Sequence, residues 1–292
     1  MAKRTRDIGA SVRPRLLKLA RDRGQPFDLV ITGYALERLL YRLSESAHRN
    51  RFALKGAMLI TTWFADPHRP TRDLDLLGFG DSAEESILSV FREVCGMPMD
   101  DGITFEVDNL RIERIREELE YGGLRLRTVA NLSRARINVV IDVGFGDAVE
   151  PGLEEIEFPV LLDSAAPRLR AYPRESVIAE KFQAMVHLGR ANSRMKDFYD
   201  VWVLSKAYDF DSDRLAKAIA ATFERRRTAI PTEVPDALTS EFARDASKRR
   251  QWDAFVRELA AGPDSLEAVV SDLAAFLMPM AVKARALART VD

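Results

Sequence analysis

The amino-acid sequence predicts an α/β (α+β) chain: a lobe built on a mixed β-sheet, followed by a mostly helical C-terminal domain. Two patterns carry this expectation. In the first half, short apolar stretches of strand length alternate with segments of helical periodicity, as in a sheet covered by helices. After Pro173 the strand-like stretches stop and helical patterns run on from Glu175, in about five helices. A break near 165–173, punctuated by Pro167 and Pro173, divides a domain over 1–165 from a helical domain over 166–292. A length of 292 residues suits two domains.

The elements follow in order. Residues 7–23 and 33–48 read as helices, the second with Leu36, Leu39, Leu40 and Leu43 at helical spacing. Arg51-Phe52-Ala53-Leu54 is a short strand that runs through Lys55-Gly56-Ala57 into an apolar helix ending near Phe64. Residues 65–70 form a loop with two prolines. Leu74 to Phe79 is the next strand, and Gly80-Asp81-Ser82 caps a helix over 83–95. Strands are expected at 103–107, 111–116, 124–132 and 136–145, with Gly122-Gly123 as a turn. The nearly continuous apolar character of 137–143 predicts a central strand buried on both faces. Pro231 to Pro235 reads as a loop between later helices.

Composition narrows the function classes. Hydrophobic residues make up 47% and charged residues 30%, which fits a globular protein with a core. The formal net charge is −1, so any nucleic-acid contact must come from local patches. The lone Cys95 excludes an intrachain disulfide, reads as a buried thiol and suits a reducing compartment. Three scattered histidines argue against a His/Cys zinc site. With no signal peptide and no apolar span of membrane length, the expectation is a cytoplasmic protein without a membrane partner.

The chemistry concentrates in Lys55-Gly56-Ala57 and Thr71-Arg72-Asp73-Leu74-Asp75-Leu76. Residues i and i+2 of a strand share a face. Asp73 and Asp75 therefore project together while Leu74 and Leu76 turn to the core. Phosphoryl transfer needs the charge of a triphosphate offset, which divalent cations held by two or three carboxylates achieve. A strand that enters a helix through glycine leaves backbone N–H groups that suit phosphate. By itself an Asp-x-Asp pair is as readily a solvated strand end. Asp142, late in the apolar strand 137–143, supplies a third carboxylate. Buried there, it is costly unless paired or metal-bound.

These residues resemble the polymerase-β-like nucleotidyltransferase superfamily, and the longer string resembles its AbiEii/AbiGii toxin-like branch. The matching pieces are Leu54-Lys55-Gly56-Ala57, Arg69-Pro70-Thr71-Arg72-Asp73-Leu74-Asp75, Ile141-Asp142-Val143-Gly144-Phe145-Gly146-Asp147, Ala179-Glu180-Lys181-Phe182 and Arg194-Met195-Lys196-Asp197-Phe198-Tyr199-Asp200. The resemblance implies a nucleotidyltransferase domain whose active-site cleft the helical domain completes. In it, Asp73, Asp75 and Asp142 would bind two Mg²⁺ ions, and Asp142 would help activate an attacking hydroxyl. Lys55, Gly56 and Ala57, with Arg69, Arg72 and Lys181, would hold the NTP. Lys181 and Asp197 would join the catalytic set. Where many members carry Ser or Thr after the glycine, this chain has Ala57-Met58 and no hydroxyl.

The resemblance also implies transfer of NMP to an acceptor hydroxyl at the tRNA 3′ end. It further implies the role of toxin in a type IV toxin–antitoxin system, with a DNA-binding antitoxin encoded nearby. The alternatives are nucleotidylation of a protein or small molecule, and a nucleotide-binding regulator without catalysis.

Periodicity bears on the last two motifs separately. Lys181 falls in an apolar stripe with Ile178, Phe182 and Met185, where a lysine either snorkels to a rim or points into a site. Arg194, Asp197 and Asp200 share a stripe on the next helix, read either as a structural Arg–Asp pair or, for Asp197, as a site residue. Arg225-Arg226-Arg227 and Lys248-Arg249-Arg250, the latter followed by Trp252, are solvated helix faces or RNA contacts.

Overall fold

The computed structural model describes residues 8–64, 69–115, 122–257, 259, 262–263 and 265–288. The start of the expected first helix at residue 7, the loop over 65–68 and the end of the strand at 116 lie outside them. The chain forms two compact units. The first comprises 1–65, 71–146 and 155–171, and the second 66–70, 147–154 and 172–292.

The first unit holds helices α1 (Ile8–Asp22), α2 (Phe27–Glu45), α3 (Gly56–Ile60) and α4 (Glu84–Gly96). Its strands are β1 (Phe52–Lys55), β2 (Asp73–Gly78), β3 (Ile103–Phe105), β4 (Arg111–Ile115), β5 (Gly123–Leu132), β6 (Ala135–Phe145), β7 (Glu154–Glu157) and β8 (Arg168–Ala171). They form one mixed sheet in the order β3-β5-β6-β2-β1-β8-β7, with β4 also on β5. β2 runs parallel to β6, and β1 runs antiparallel to β2. The β5–β6 hairpin closes through Ser133-Arg134, with Ser133 at positive φ (53°), the backbone bend a two-residue turn requires.

Alternation builds the core. Leu124 and Leu126 lie opposite Val143 and Ile141, which pair in turn with Leu76 and Leu74, and all six are buried. Helices α1, α2 and α4 pack against the sheet. The alternate residues of β6, Arg136, Asn138, Val140 and Asp142, are exposed or half-buried, while Ile137 and Val139 are buried with Ile141 and Val143. The expectation of a strand buried on both faces is therefore corrected: β6 buries one face and carries polar groups on the other. Other expectations shift at the edges. Helix α2 begins at Phe27, β3 stops at Phe105, β7 is a strand where no element was expected, and β8 is a strand within the break expected near 165–173.

Helix α2 is pinned by charge as well as by leucines. Arg42 forks onto the Asp101 carboxylate at 2.5 and 3.1 Å and also donates to the Ile103 carbonyl. Glu37 pairs with Arg38 at 2.7 Å and accepts the Leu161 N–H, tying the 158–165 segment to the helix. Cys95 is buried on α4, and burial pushes its thiol up to about 12.

The second unit is helical apart from the connecting segments. Helices α5 (Arg174–Leu188), α6 (Met195–Ala207), α7 (Ser212–Arg225), α8 (Ser240–Arg244), α9 (Ala246–Val256) and α10 (Leu266–Ala288) form it. α5 packs on α6 and α7, and α10 on α6, α7 and α8. Among the described residues no helix is long and apolar enough to cross a membrane.

Glu37 gives this fold a testable pH dependence. Burial raises its carboxyl to about 7, outweighing Arg38 and the Leu161 N–H. A carboxyl with a raised folded pKa favours folding while protonated. Its contribution is full below the ordinary Glu range and is lost as pH rises toward 7. Stability followed by urea denaturation should fall by on the order of 3 kcal/mol between about pH 4.5 and 7 from this group. The Glu37→Gln variant should lose that slope.

Candidate active site

On the polar face of the first unit, strand register does the assembly. Parallel pairing sets Asp75 directly beside Asp142, and Asp73 one step along β2 beside Val140. Directly paired residues of neighbouring strands point to the same side of the sheet. Asp73, Asp75 and Asp142 thus share one face, and all three are half-buried. The row continues outward: Lys55 of β1 is the partner of Asp75, Arg125 of β5 is the partner of Asp142, and Glu113 of β4 is the partner of Arg125. Read across five strands, the charges run Glu113, Arg125, Asp142, Asp75, Lys55.

Arg125 was not singled out from the sequence. Its Nε and Nη2 donate to the two carboxylate oxygens of Asp142 at 2.7 and 2.6 Å. That fork, with Asp73 and Glu113 adding to it, holds the guanidinium proton even more firmly than usual. The signal was present in the hairpin. Counting seven residues back from Leu132 and seven forward from Ala135 arrives at Arg125 and Asp142.

Gly56 closes the other side. It opens α3 with φ of +70°, a conformation that disfavours any residue with a Cβ. A Cβ there would lie 2.1 Å from Asp75 Oδ2 and 2.6 Å from its Cγ. The turn is therefore pressed against the carboxylate, and glycine is required on two independent counts. Ala57 and Met58 follow as the first helical residues, with Met58 buried. Arg72 is exposed and pairs with Asp28 at 2.9 Å.

All three carboxylates are hard oxygen donors of the type that Mg²⁺ takes. Asp73 and Asp75 fit such an ion by chemistry and by face. Asp142 fits by register, while both its oxygens are engaged by Arg125. Among the described residues, no three or more His, Cys, Asp or Glu side chains close to metal-ligand spacing.

The second unit carries a separate charged cluster. Lys181 Nζ lies 2.6 Å from Asp197 Oδ1 and 2.9 Å from Asp200 Oδ2. Arg69 forks onto Asp200 through Nε and Nη2 at 2.6 and 2.7 Å. Burial works to discharge Lys181, but Asp197 and Asp200 offset it and hold the amine above its ordinary range. Burial likewise works against the Asp200 charge, and Lys181 with Arg69 holds that carboxyl below its ordinary range. Lys181 therefore faces a built polar site inside the apolar stripe rather than snorkelling to a rim. Arg194, on the same helical stripe as the aspartates, is exposed; the guanidinium on Asp200 comes from Arg69 instead.

Two sequence patches change meaning. Arg226 is turned inward, 3.0 Å from Asp147 and 3.3 Å from Glu180, so Arg225-Arg226-Arg227 is not one solvated face. Trp252 is buried beside Phe255 and offers no stacking surface next to Lys248-Arg249-Arg250.

Two stability predictions follow from these contacts. Gly56→Ala should lower unfolding free energy by about 1–3 kcal/mol, from positive-φ strain and displacement of Asp75, in chemical denaturation. Asp200→Ala, which leaves Arg69 without its carboxylate, should cost about 3–5 kcal/mol, as expected when one partner of a buried pair is removed.

Residues 38–277 match the family described as nucleotidyl transferase AbiEii toxin, type IV TA system. The crystal structure of JHP933 from Helicobacter pylori is similar with a TM-score of 0.52 at 16% identity, covering 90% of this chain and 96% of that one. A second H. pylori structure, described as a candidate nucleotidyltransferase, is similar with the same TM-score and identity, covering 88% and 96%. At that identity the likeness speaks for the fold. No curated protein matches in sequence. Register, glycine turn and family match converge on one statement: this chain belongs to the AbiEii nucleotidyl transferase toxin family.

Proposed function

We propose that this protein is a Mg²⁺-dependent nucleotidyltransferase that moves NMP from an NTP to the 3′-hydroxyl of tRNA. In this reading it acts as the toxin of a type IV toxin–antitoxin system, opposed by a DNA-binding antitoxin encoded nearby. The observation that carries the reading is the in-register placement of Asp73, Asp75 and Asp142 on one face of adjacent parallel strands.

The reaction joins the acceptor hydroxyl oxygen to the α-phosphorus and breaks the bond to the β-phosphate bridging oxygen, so pyrophosphate leaves. Asp73, Asp75 and Asp142 would hold Mg²⁺, which when bound supplies charge stabilisation for the phosphates and lowers the pKa of the hydroxyl. Asp142 receives the hydroxyl proton. The backbone N–H groups after Gly56 offer donors to phosphate without help from a hydroxyl side chain, because the glycine lets the main chain approach. Lys55, Arg69 and Arg72 are the further cations assigned to the nucleotide. Lys181 is held in its charged form by Asp197 and Asp200, and in this reading it supplies a cation to the triphosphate. Asp197 acts in this reading by positioning Lys181.

The test is transfer of α-labelled NMP by the purified protein with Mg²⁺, each NTP in turn, and total tRNA, total protein or small-molecule acceptors. Label should appear on tRNA and fall by at least about 100-fold in Asp73→Ala. Label on protein or small molecules alone would replace the acceptor. NTP binding without transfer to any acceptor would replace the enzyme with a nucleotide-binding regulator.

A further inference from the structure

We infer that Arg125 is a built-in competitor of the metal ion: its guanidinium occupies acceptor positions on both oxygens of the Asp142 carboxylate, so that displacing it, wholly or in part, strengthens that carboxylate's hold on a divalent cation. This rests on the proposed role of Asp73, Asp75 and Asp142 as metal ligands. It adds a positioning residue that governs when the site is complete.

The geometry is specific. Asp75 and Asp142 are direct neighbours across the β2–β6 pairing. Like charges set opposite one another in a sheet destabilise it. In a row where Asp75 is flanked by Lys55 and Asp142 by Arg125, each carboxylate has a cation on its outer side. Arg125 commits to Asp142 through a two-bond fork, the strong form of a cation–carboxylate contact. A carboxylate has about four lone-pair sites. With two taken by the fork, Asp142 has reduced capacity for a cation that takes oxygen ligands near 2.1 Å. The side chains of Arg125 and Asp142 are 32% and 19% exposed, so the pair is open enough to exchange.

Both consequences of removing Arg125 have the same sign for metal binding. Asp142 is freed, and the negative potential of three clustered carboxylates is no longer offset from β5. The opposite sign holds for the metal-free fold, which loses its neutralising partner.

The experiment measures Mn²⁺ binding to the full chain, from the free-ion electron paramagnetic resonance signal, in wild type, Arg125→Gln, Arg125→Lys, Asp142→Asn, Asp73→Asn and the Arg125→Gln/Asp142→Asn double variant. Arg125→Gln should bind Mn²⁺ about ten-fold more tightly than wild type. Its melting temperature should be lower without Mn²⁺ and rise further on adding it. Arg125→Lys, which keeps a charge but loses the fork, should tighten binding by a smaller factor. It stands as the test if Arg125→Gln fails to fold. Measured against Asp142→Asn, the double variant should keep only the smaller, through-space part of the gain, because the competition is for Asp142. Affinity that is unchanged or weaker in a folded Arg125→Gln or Arg125→Lys overturns the inference, as does a gain of the double variant over Asp142→Asn as large as that of Arg125→Gln over wild type. Failure of the underlying metal reading looks different: Asp73→Asn and Asp142→Asn would then bind Mn²⁺ as wild type does.

Discussion

The parallel pairing of β2 with β6 is the constraint on which the first unit depends. Leu74 and Leu76 on one strand and Ile141 and Val143 on the other are buried. Because side chains alternate with a period of two, that burial fixes what the opposite face presents. A slip of one residue would bury Asp73 and Asp75 and expose the leucines. The hydrophobic effect therefore positions the carboxylates, and the same leucines that stabilise the sheet set what stands on its other side. The hairpin extends the logic one strand further: once the Ser133-Arg134 turn sets β5 against β6, Arg125 stands opposite Asp142.

Charge plays a different part in the second unit. Arg69, Lys181, Asp197 and Asp200 form a cluster of two cations and two anions in which burial opposes both Lys181 and Asp200 and the partners restore each charge. Such a cluster is a poor source of net stability compared with apolar packing. What it supplies is a lysine held in its charged form between two carboxylates. The Arg226, Asp147 and Glu180 group repeats the pattern nearby in the same unit, drawing the 147–154 segment onto α5 and α7.

Local periodicity made part of this legible in the sequence. The alternation Asp73-Leu74-Asp75-Leu76 placed two aspartates together, and helical spacing put Lys181 in an apolar stripe. What escaped was decided by pairing at a distance. Asp142 lies beside Asp75 because β6 pairs with β2 after the chain has passed through α4, β3, β4 and β5, which no local pattern encodes. Arg69 reaches Asp200 over a separation of 131 residues, so the stripe suggested Arg194 instead. Strand β8 is four residues long and lies close to two prolines, too short for alternation to register. The apolar run of 137–143 misled for another reason. Val140 is half-buried on the polar face, so hydrophobicity alone overstated burial there.

The contact between Gly56 and Asp75 has a consequence for how such a chain can vary. The absent side chain at Gly56 is the room that the Asp75 carboxylate fills. Neither position is then an independent variable. A bulkier residue at the turn would displace the carboxylate, with no shorter acid than aspartate to take its place, and a longer acid on the strand, glutamate, demands a turn that stands further off. The two residues, 19 apart in sequence, are inherited as a single fitted object, and drift through sequence space must move them together or not at all.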